Sequence, residues 1–471
     1  MKKTLLITLC SACCHWGAAQ ESKPMTVDEC IAYAVAHNRE VRKAELTLDN
    51  YQANRLSAIG EFLPVVSANA SAQYNFGRGI DPKTNTYTNV TTFYQGFGTS
   101  ASLPVFDGLA RLHALRAAKA DVLMGKSALQ QQQHHVALET LQAFINVQYY
   151  QGTVAMAEEK LRESEALLRQ TRVMEEVGRK SPADVAQMEA QAAEAEVEVV
   201  RQKNRLEQGM LILKNTMNWQ EEAPLPLAPF PKWEGEEVAQ TPLPFLDGPS
   251  AGLRPSDYGR EGLPEERQAF FAMESARHTL RRTKASLWPS ISLSAGWSTT
   301  YYKTLDAPAN LSWRQQMREN RGEWVAASLS FPLFGRLGTV TSIRCARNNY
   351  RYAMESYEQK REELERLRRE AVMDAEAYRR EAQGMRKKVE ADSLAYALTR
   401  RQWEEGLSTA IDVTNTSAAL LNSRATALQA RLMAVLKARL AQYYGPTPSP
   451  LPSEGSMMEN KGHKKIARIN N

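Results

Sequence analysis

The side chains best suited to nucleophilic or metal chemistry in this 471-residue chain are seven histidines and five cysteines. His134 and His135 are adjacent and follow Gln130 to Gln133. Neighbouring residues on a helix project about 100° apart, so this pair reads as a solvated face and not as a shared ligand set. Cys10, Cys13 and Cys14 fall within the first twenty residues. That leaves Cys30 and Cys345, too far apart for a disulfide framework or a metal cluster. The scattered histidines provide no nucleophile–base pair, so no catalysis, cofactor or resident metal is expected. The carboxylates that do recur in a pattern are Asp184 in Ser181-Pro182-Ala183-Asp184 and Asp412 in Thr409-Ala410-Ile411-Asp412. This spacing suits a capping box, in which hydroxyl and carboxylate each accept a backbone N–H at the start of a helix. The recurrent chemistry is therefore helix initiation, and the question becomes what the helices hold.

The wider composition narrows the classes. Charged residues make up 24% and the net charge is only +6, with mixed signs in stretches such as EELERLRRE (362–370), so nucleic acid is not an expected partner. Mean hydropathy is −0.47, and beyond the N-terminus no run reaches the ~18 apolar residues of a spanning helix. A β-barrel stays open, because its alternating strands keep average hydropathy low. Residues 1–19 read as a signal peptide: Lys2 and Lys3, an apolar run from Leu5 to Cys14, then Gly17-Ala18-Ala19. A lipidated cysteine there would need a Leu-small-small approach that none has.

An internal repeat organises the rest. Leu103-Pro104-Val105-Phe106 returns as Phe331-Pro332-Leu333-Phe334, an offset of 228 that also maps Thr171-Arg172, Gly178 and Asp184-Val185 onto Thr399-Arg400, Gly406 and Asp412-Val413. The repeats are assigned to 20–219 and 263–445, with a Pro-rich linker at 220–262 and a disordered tail at 446–471. Residues 107–177 and 335–405 are each 71 residues without proline and rich in helix formers. Each helix would run about 105 Å and needs packing along its length. Gly178 and Gly406 end the long helices, and each capping box opens the return helix at about 182–219 or 410–444.

Between the helices lie four alternating runs, at about 64–76, 93–105, 288–302 and 322–334. Ser290, Ser292, Ser294, Gly296 and Ser298 alternate with Ile291, Leu293, Ala295, Trp297 and Tyr301. One side is apolar and the other small and polar, with Trp297 and Tyr301 placed as membrane-interface aromatics. The polar loops at 77–92 and 303–320 are assigned to the extracellular side. Four strands cannot close a barrel, and an open edge cannot face lipid, so closure requires association. Two chains would fill their interior with side chains, whereas three would enclose a watery lumen, and the small polar face favours a homotrimer.

With the repeat, the L-P-x-F motifs and the tips VGRKSPADV (177–185) and EGLSTAIDV (405–413), the chain resembles the TolC-like outer-membrane efflux proteins (outer membrane factors). The resemblance implies a mixed fold of long antiparallel helical hairpins forming a periplasmic α-barrel, with four β-strands per chain in a trimeric twelve-stranded outer-membrane β-barrel. It implies a passive duct of a tripartite efflux or type I secretion system in a Gram-negative outer membrane, extending into the periplasm. Its partners would be a periplasmic adaptor (membrane fusion protein), an inner-membrane efflux transporter and outer-membrane lipid. Selectivity would reside in the transporter, which leaves drug, metal, amphiphile and polypeptide as compatible cargo. Position by position, Asp412 and Asn415 would line the periplasmic aperture, where like charges would raise the pKa of some carboxylates. Asp184, Trp403 and Ser408 would form gate links, and Gly178, Arg179, Gly406 and Leu407 would be adaptor-docking tips. A periplasmic coiled-coil scaffold or adaptor is the alternative; it explains helices and tips but not four alternating strands.

Overall fold

The computed structural model describes residues 24–81, 86–89, 91–219, 225–228, 262–305, 311–334 and 337–445. The expected signal peptide, the tail and most of the linker lie outside the described residues. Elements follow in the order α1 (Val27–His37), α2 (Arg39–Gly60), β1 (Val65–Asn75), β2 (Arg78–Asp81), β3 (Thr86–Asn89), β4 (Thr92–Phe106), α3 (Ala110–Glu176) and α4 (Pro182–Met217). The second half contributes α5 (Pro264–Ala285), β5 (Ser290–Thr304), α6 (Trp313–Glu319), β6 (Gly322–Ser330), α7 (Gly338–Glu404) and α8 (Ala410–Tyr444). The repeat is evident in lengths alone: α2 and α5 have 22 residues each, α3 and α7 have 67, and α4 and α8 have 36 and 35. It extends to backbone conformation, since Leu109 and Leu337, 228 apart, both take positive φ (70° and 64°) where strand passes into long helix. A left-handed leucine costs roughly 1–2 kcal/mol, so each half carries the same strained joint.

Three features differ from the sequence expectation. The single leading helix is broken at Asn38, whose Oδ1 accepts the Glu40 amide at 2.8 Å while its Nδ2 donates to the Thr216 carbonyl, also at 2.8 Å. The first polar loop contains the hairpin β2–β3, and the second contains α6. Residues 225–228 of the linker are ordered, with Met25 N–H donating to Pro226 O at 2.7 Å and Ala228 N–H to Met25 O at 2.9 Å.

The chain divides into two compact units, residues 1–42, 132–253 and 365–471 in one and 43–131 and 254–364 in the other. The first has a helical core in which Cys30, Ile31, Val136, Leu141, Phe144, Val147, Leu213 and Met217 are fully buried. Burial pushes the Cys30 thiol up to about 12, which makes it inert, and Cys345 is free and exposed. The second unit contains a four-stranded antiparallel sheet in the order β1-β4-β5-β6. Its register aligns like faces across all strands: Ala70 opposite Phe97, Leu103 opposite Leu293, Ala295 opposite Val325 and Ile291 opposite Leu329 on one face. The other face pairs Ser67 with Ser100, Ser102 with Ser294 and Ser292 with Ser328. The apolar face is exposed at Val66, Leu293, Val325 and Leu329. The pattern inverts at the start of β6, where Glu323 joins the apolar face. Trp324 lies on the polar face over Gly296, where a Cβ would meet the indole at 2.7 Å.

Candidate functional site

The tips are built from local hydrogen bonds that the sequence specifies. Gly178 (φ 74°) ends α3, with its N–H donating to Glu175 O at 2.8 Å and the Arg179 N–H reaching back to Met174 O at 2.8 Å. Gly406 (φ 81°) ends α7 in the same way, through Trp403 O at 3.0 Å and, from Leu407 N–H, Gln402 O at 2.7 Å. Both are Schellman closures, which need a residue that tolerates left-handed backbone. Ser181 Oγ then accepts the Asp184 amide at 3.2 Å, and the Asp184 carboxylate accepts the Ser181 amide and hydroxyl, each at 2.9 Å. Thr409 and Asp412 repeat the box at 3.2, 2.9 and 2.6 Å.

These bonds set the electrostatics. The Ser181 amide and hydroxyl hold the Asp184 carboxyl below the usual range, and the Thr409 hydroxyl and amide do the same for Asp412. Within one chain Asp412 is therefore a stabilised anion. Asn415 lies one turn along from Asp412, and both are exposed. Gly178, Arg179 and Gly406 are exposed, and Leu407 is 76% exposed at the second tip. Val173 near the end of α3 and Val177 just past it are exposed beside them. Their spacing was readable in the sequence but was absorbed into a good helix pattern.

Within one chain, the three residues expected to form gate links make local contacts. Trp403 is 1% exposed and packs with Leu167, Met188, Ala410 and Val413, where α3, α4, α7 and α8 meet. Its indole Nε1 is buried with no hydrogen-bond partner, so it does not serve as a donor to Asp184. Asp184 is taken up by Ser181, and Ser408 Oγ donates to Thr399 O at 3.3 Å. Trp403 is thus a core residue at this junction, because an indole beside four helices gains more from burial than from an exposed hydrogen bond. The helices are also joined by polar contacts: Arg172 to Glu189 at 2.6 Å, Thr414 to Gln191 at 2.6 Å, and Lys160 through the Ser417 hydroxyl to Glu163 at 3.1 and 2.9 Å.

The second site is the sheet. Trp297 and Tyr301 both lie on the apolar face of β5, and Tyr301 is part of a wider aromatic band. Tyr74 lies 4.6 Å from Phe93 between ring centroids, Phe93 lies 6.4 Å from Tyr301, and Phe97 meets Trp313 of α6 at 6.5 Å. At the opposite end Phe62, Trp288, Phe331 and Phe334 are exposed where strands meet helices. Two aromatic belts with apolar strand between them match the geometry of a bilayer-spanning sheet. No described helix is long and apolar enough to cross a membrane.

Among solved structures the fold is similar to CusC (TM-score 0.75, 17% identity, covering 89% of this chain and 92% of that one). It is also similar to VceC of Vibrio cholerae (0.71, 16%, 89% and 96%) and to the CmeC outer membrane channel of Campylobacter jejuni (0.72, 13%, 92% and 89%). No curated protein sequence matches the chain. The sequence profile of the outer membrane efflux proteins matches residues 31–218 and 263–445, falling on the two repeats and skipping the segment between them. The chain belongs to the outer membrane efflux protein family.

Proposed function

We propose that three copies of this chain form a passive duct through the outer membrane, serving a tripartite efflux or type I secretion system. The observation that carries this reading is the four-stranded sheet, apolar on one face and small and polar on the other, with β1 and β6 as unpaired edges. Unpaired backbone groups cannot face lipid, so those edges pair with neighbouring copies. Twelve strands then enclose a lumen lined by serine and glycine. The exposed side chains of α7 support the same reading. Among its buried residues, Tyr357, Leu364 and Ala371 form a narrow stripe at a spacing of seven, while Tyr352, Met373, Leu394 and Leu398 are exposed and need covering.

The tips, where each long helix ends and its return helix begins, are where an adaptor's helices would dock. Gly178 and Gly406 allow close approach there, with Val177 and Leu407 as apolar contacts. The aperture would be lined by Asp412 and Asn415. The gate would depend on the buried Trp403 cluster together with the Asp184 cap. The driving energy would come from an inner-membrane transporter.

Planar-bilayer recording tests the duct and its gate together. The purified protein should give discrete conductance steps, and Asp184→Ala should raise open time by loosening the first tip. An absence of steps from protein that co-floats with vesicles would overturn the duct, and unchanged open time would remove Asp184 from the gate. A scaffold would leave the membrane fraction at high salt, whereas the barrel would stay.

A further inference from the structure

Helix α6 covers a place where β5 outruns its neighbour. β6 pairs with β5 only up to Ser298, so beyond it the outer edge of β5 has no strand partner. Side chains of α6 replace that strand. The Gln316 carboxamide accepts the Tyr302 N–H at 2.9 Å and donates to the Tyr302 carbonyl at 2.9 Å, as a peptide group would. Asn320 Nδ2 donates to Thr300 O at 2.8 Å. The helix also lies over the apolar face: Thr299 Oγ1 donates to Met317 O at 2.8 Å, and Trp313 Nε1 donates to Gln95 Oε1 at 3.0 Å.

This attachment fixes which side of α6 faces outward. Trp313 and Gln316 are spent on the sheet, while Arg314 and Arg318, one turn apart, and Arg321 just past the helix are exposed. Lys303 is exposed on the same apolar face, next to Tyr302. None of these four cations has a carboxylate within ion-pair distance among the described residues. Of the nearby acids, Glu319 accepts from Gln315 Nε2 at 3.0 Å and Glu323 stands opposite Trp297. Cations thus outnumber acids at the level of an aromatic belt, directly above apolar strand.

We propose that Arg314, Arg318, Arg321 and Lys303 bind the phosphate-bearing headgroups of the lipid that surrounds the barrel, with the acyl chains lying against the apolar face beneath. This rests on the reading that the apolar face is immersed in a bilayer. Charge complementarity selects an anionic group, and continuity with the aromatic belt and apolar face selects a lipid over a free anion. The guanidinium fork suits phosphate oxygens better than an ammonium would. By gripping headgroups, α6 would fix the depth at which the barrel is seated.

The test uses full-length protein in mild detergent, titrated with diphosphorylated lipid A or phosphatidylcholine, with bound lipid counted by native mass spectrometry. Flotation with phosphatidylcholine vesicles runs in parallel. The wild type should prefer lipid A roughly tenfold, and R314A/R318A/R321A should abolish the preference while still floating. The corresponding lysine variant should retain part of it, and lipid A stripped of phosphates should lose it. Undiminished retention by the alanine variant, or displacement of lipid A by equimolar inorganic phosphate, overturns the lipid site alone. A wild type that fails to float overturns the membrane reading and this inference with it.

Discussion

Ser181 and Thr409 show how much a single hydroxyl organises. Each satisfies an amide at the start of a return helix and is held in turn by a carboxylate. Ser181→Ala should cost about 1 kcal/mol locally, seen as faster hydrogen exchange over residues 178–186. Asp184 titrates below the usual carboxylate range in the folded chain, so its contribution is fully present at neutral pH. It is lost as pH falls through its folded value, below about pH 4. The same exchange experiment should therefore show the wild-type tip loosening in acid, with Ser181→Ala already loose and less acid-sensitive. Trp403 is the contrasting case, because its indole N–H is buried with no acceptor. Trp403→Ala should cost about 3–5 kcal/mol through the cavity it leaves. Trp403→Phe should cost far less, since it keeps most of the volume and removes the unsatisfied donor. Thermal unfolding of the two variants checks the order, and equal losses would contradict a packing role.

At the scale of elements, the long helices combine narrow buried stripes with many exposed ion pairs. Arg366–Glu370, Arg379–Glu376 and Lys388–Asp392 are pairs of adjacent turns on α7, solvent-screened and of little weight for stability. The more consequential polar contact is the Lys160–Ser417–Glu163 bridge between α3 and α8. Burial lowers the Lys160 pKa against the opposing pull of Glu163 and Glu194, and Glu163 Oε1 has no partner. Ser417→Ala should therefore cost about 1 kcal/mol, by leaving two half-buried charged groups without their shared hydroxyl, and lower Tm accordingly. Much of this architecture was legible beforehand. Proline-free runs and paired Gly–cap–Asp tips announce helices and their ends through local chemistry alone. The sheet faces were legible because alternation has period two. The break at Asn38 was not, because it depends on Thr216, 178 residues away. Nor was the burial of Trp403, because four helices must first converge on it. Nor was helix α6, because its seven residues owe their conformation to a strand edge.

At the scale of the whole molecule, the proposed duct requires two sheet edges to be closed by neighbours. A cysteine at Ala70 in β1 and another at Ala327 in β6, in a Cys345→Ser background, samples that closure. Oxidative crosslinking, with the second position scanned along β6, should give a ladder that stops at three copies. A ladder ending at two, or none at any register, would contradict the trimer. The equal 67-residue lengths of α3 and α7 carry a different kind of consequence, for how such a chain can change over generations. One residue inserted into α7 alone would turn everything beyond it by about 100° and advance it by about 1.5 Å. Trp403 would then face away from Met188 and Val413, and the stripe of Tyr357, Leu364 and Ala371 would fall out of step. Viable lineages should therefore lengthen or shorten both halves together and in steps near seven residues, so the length of the molecule is inherited as a count of heptads.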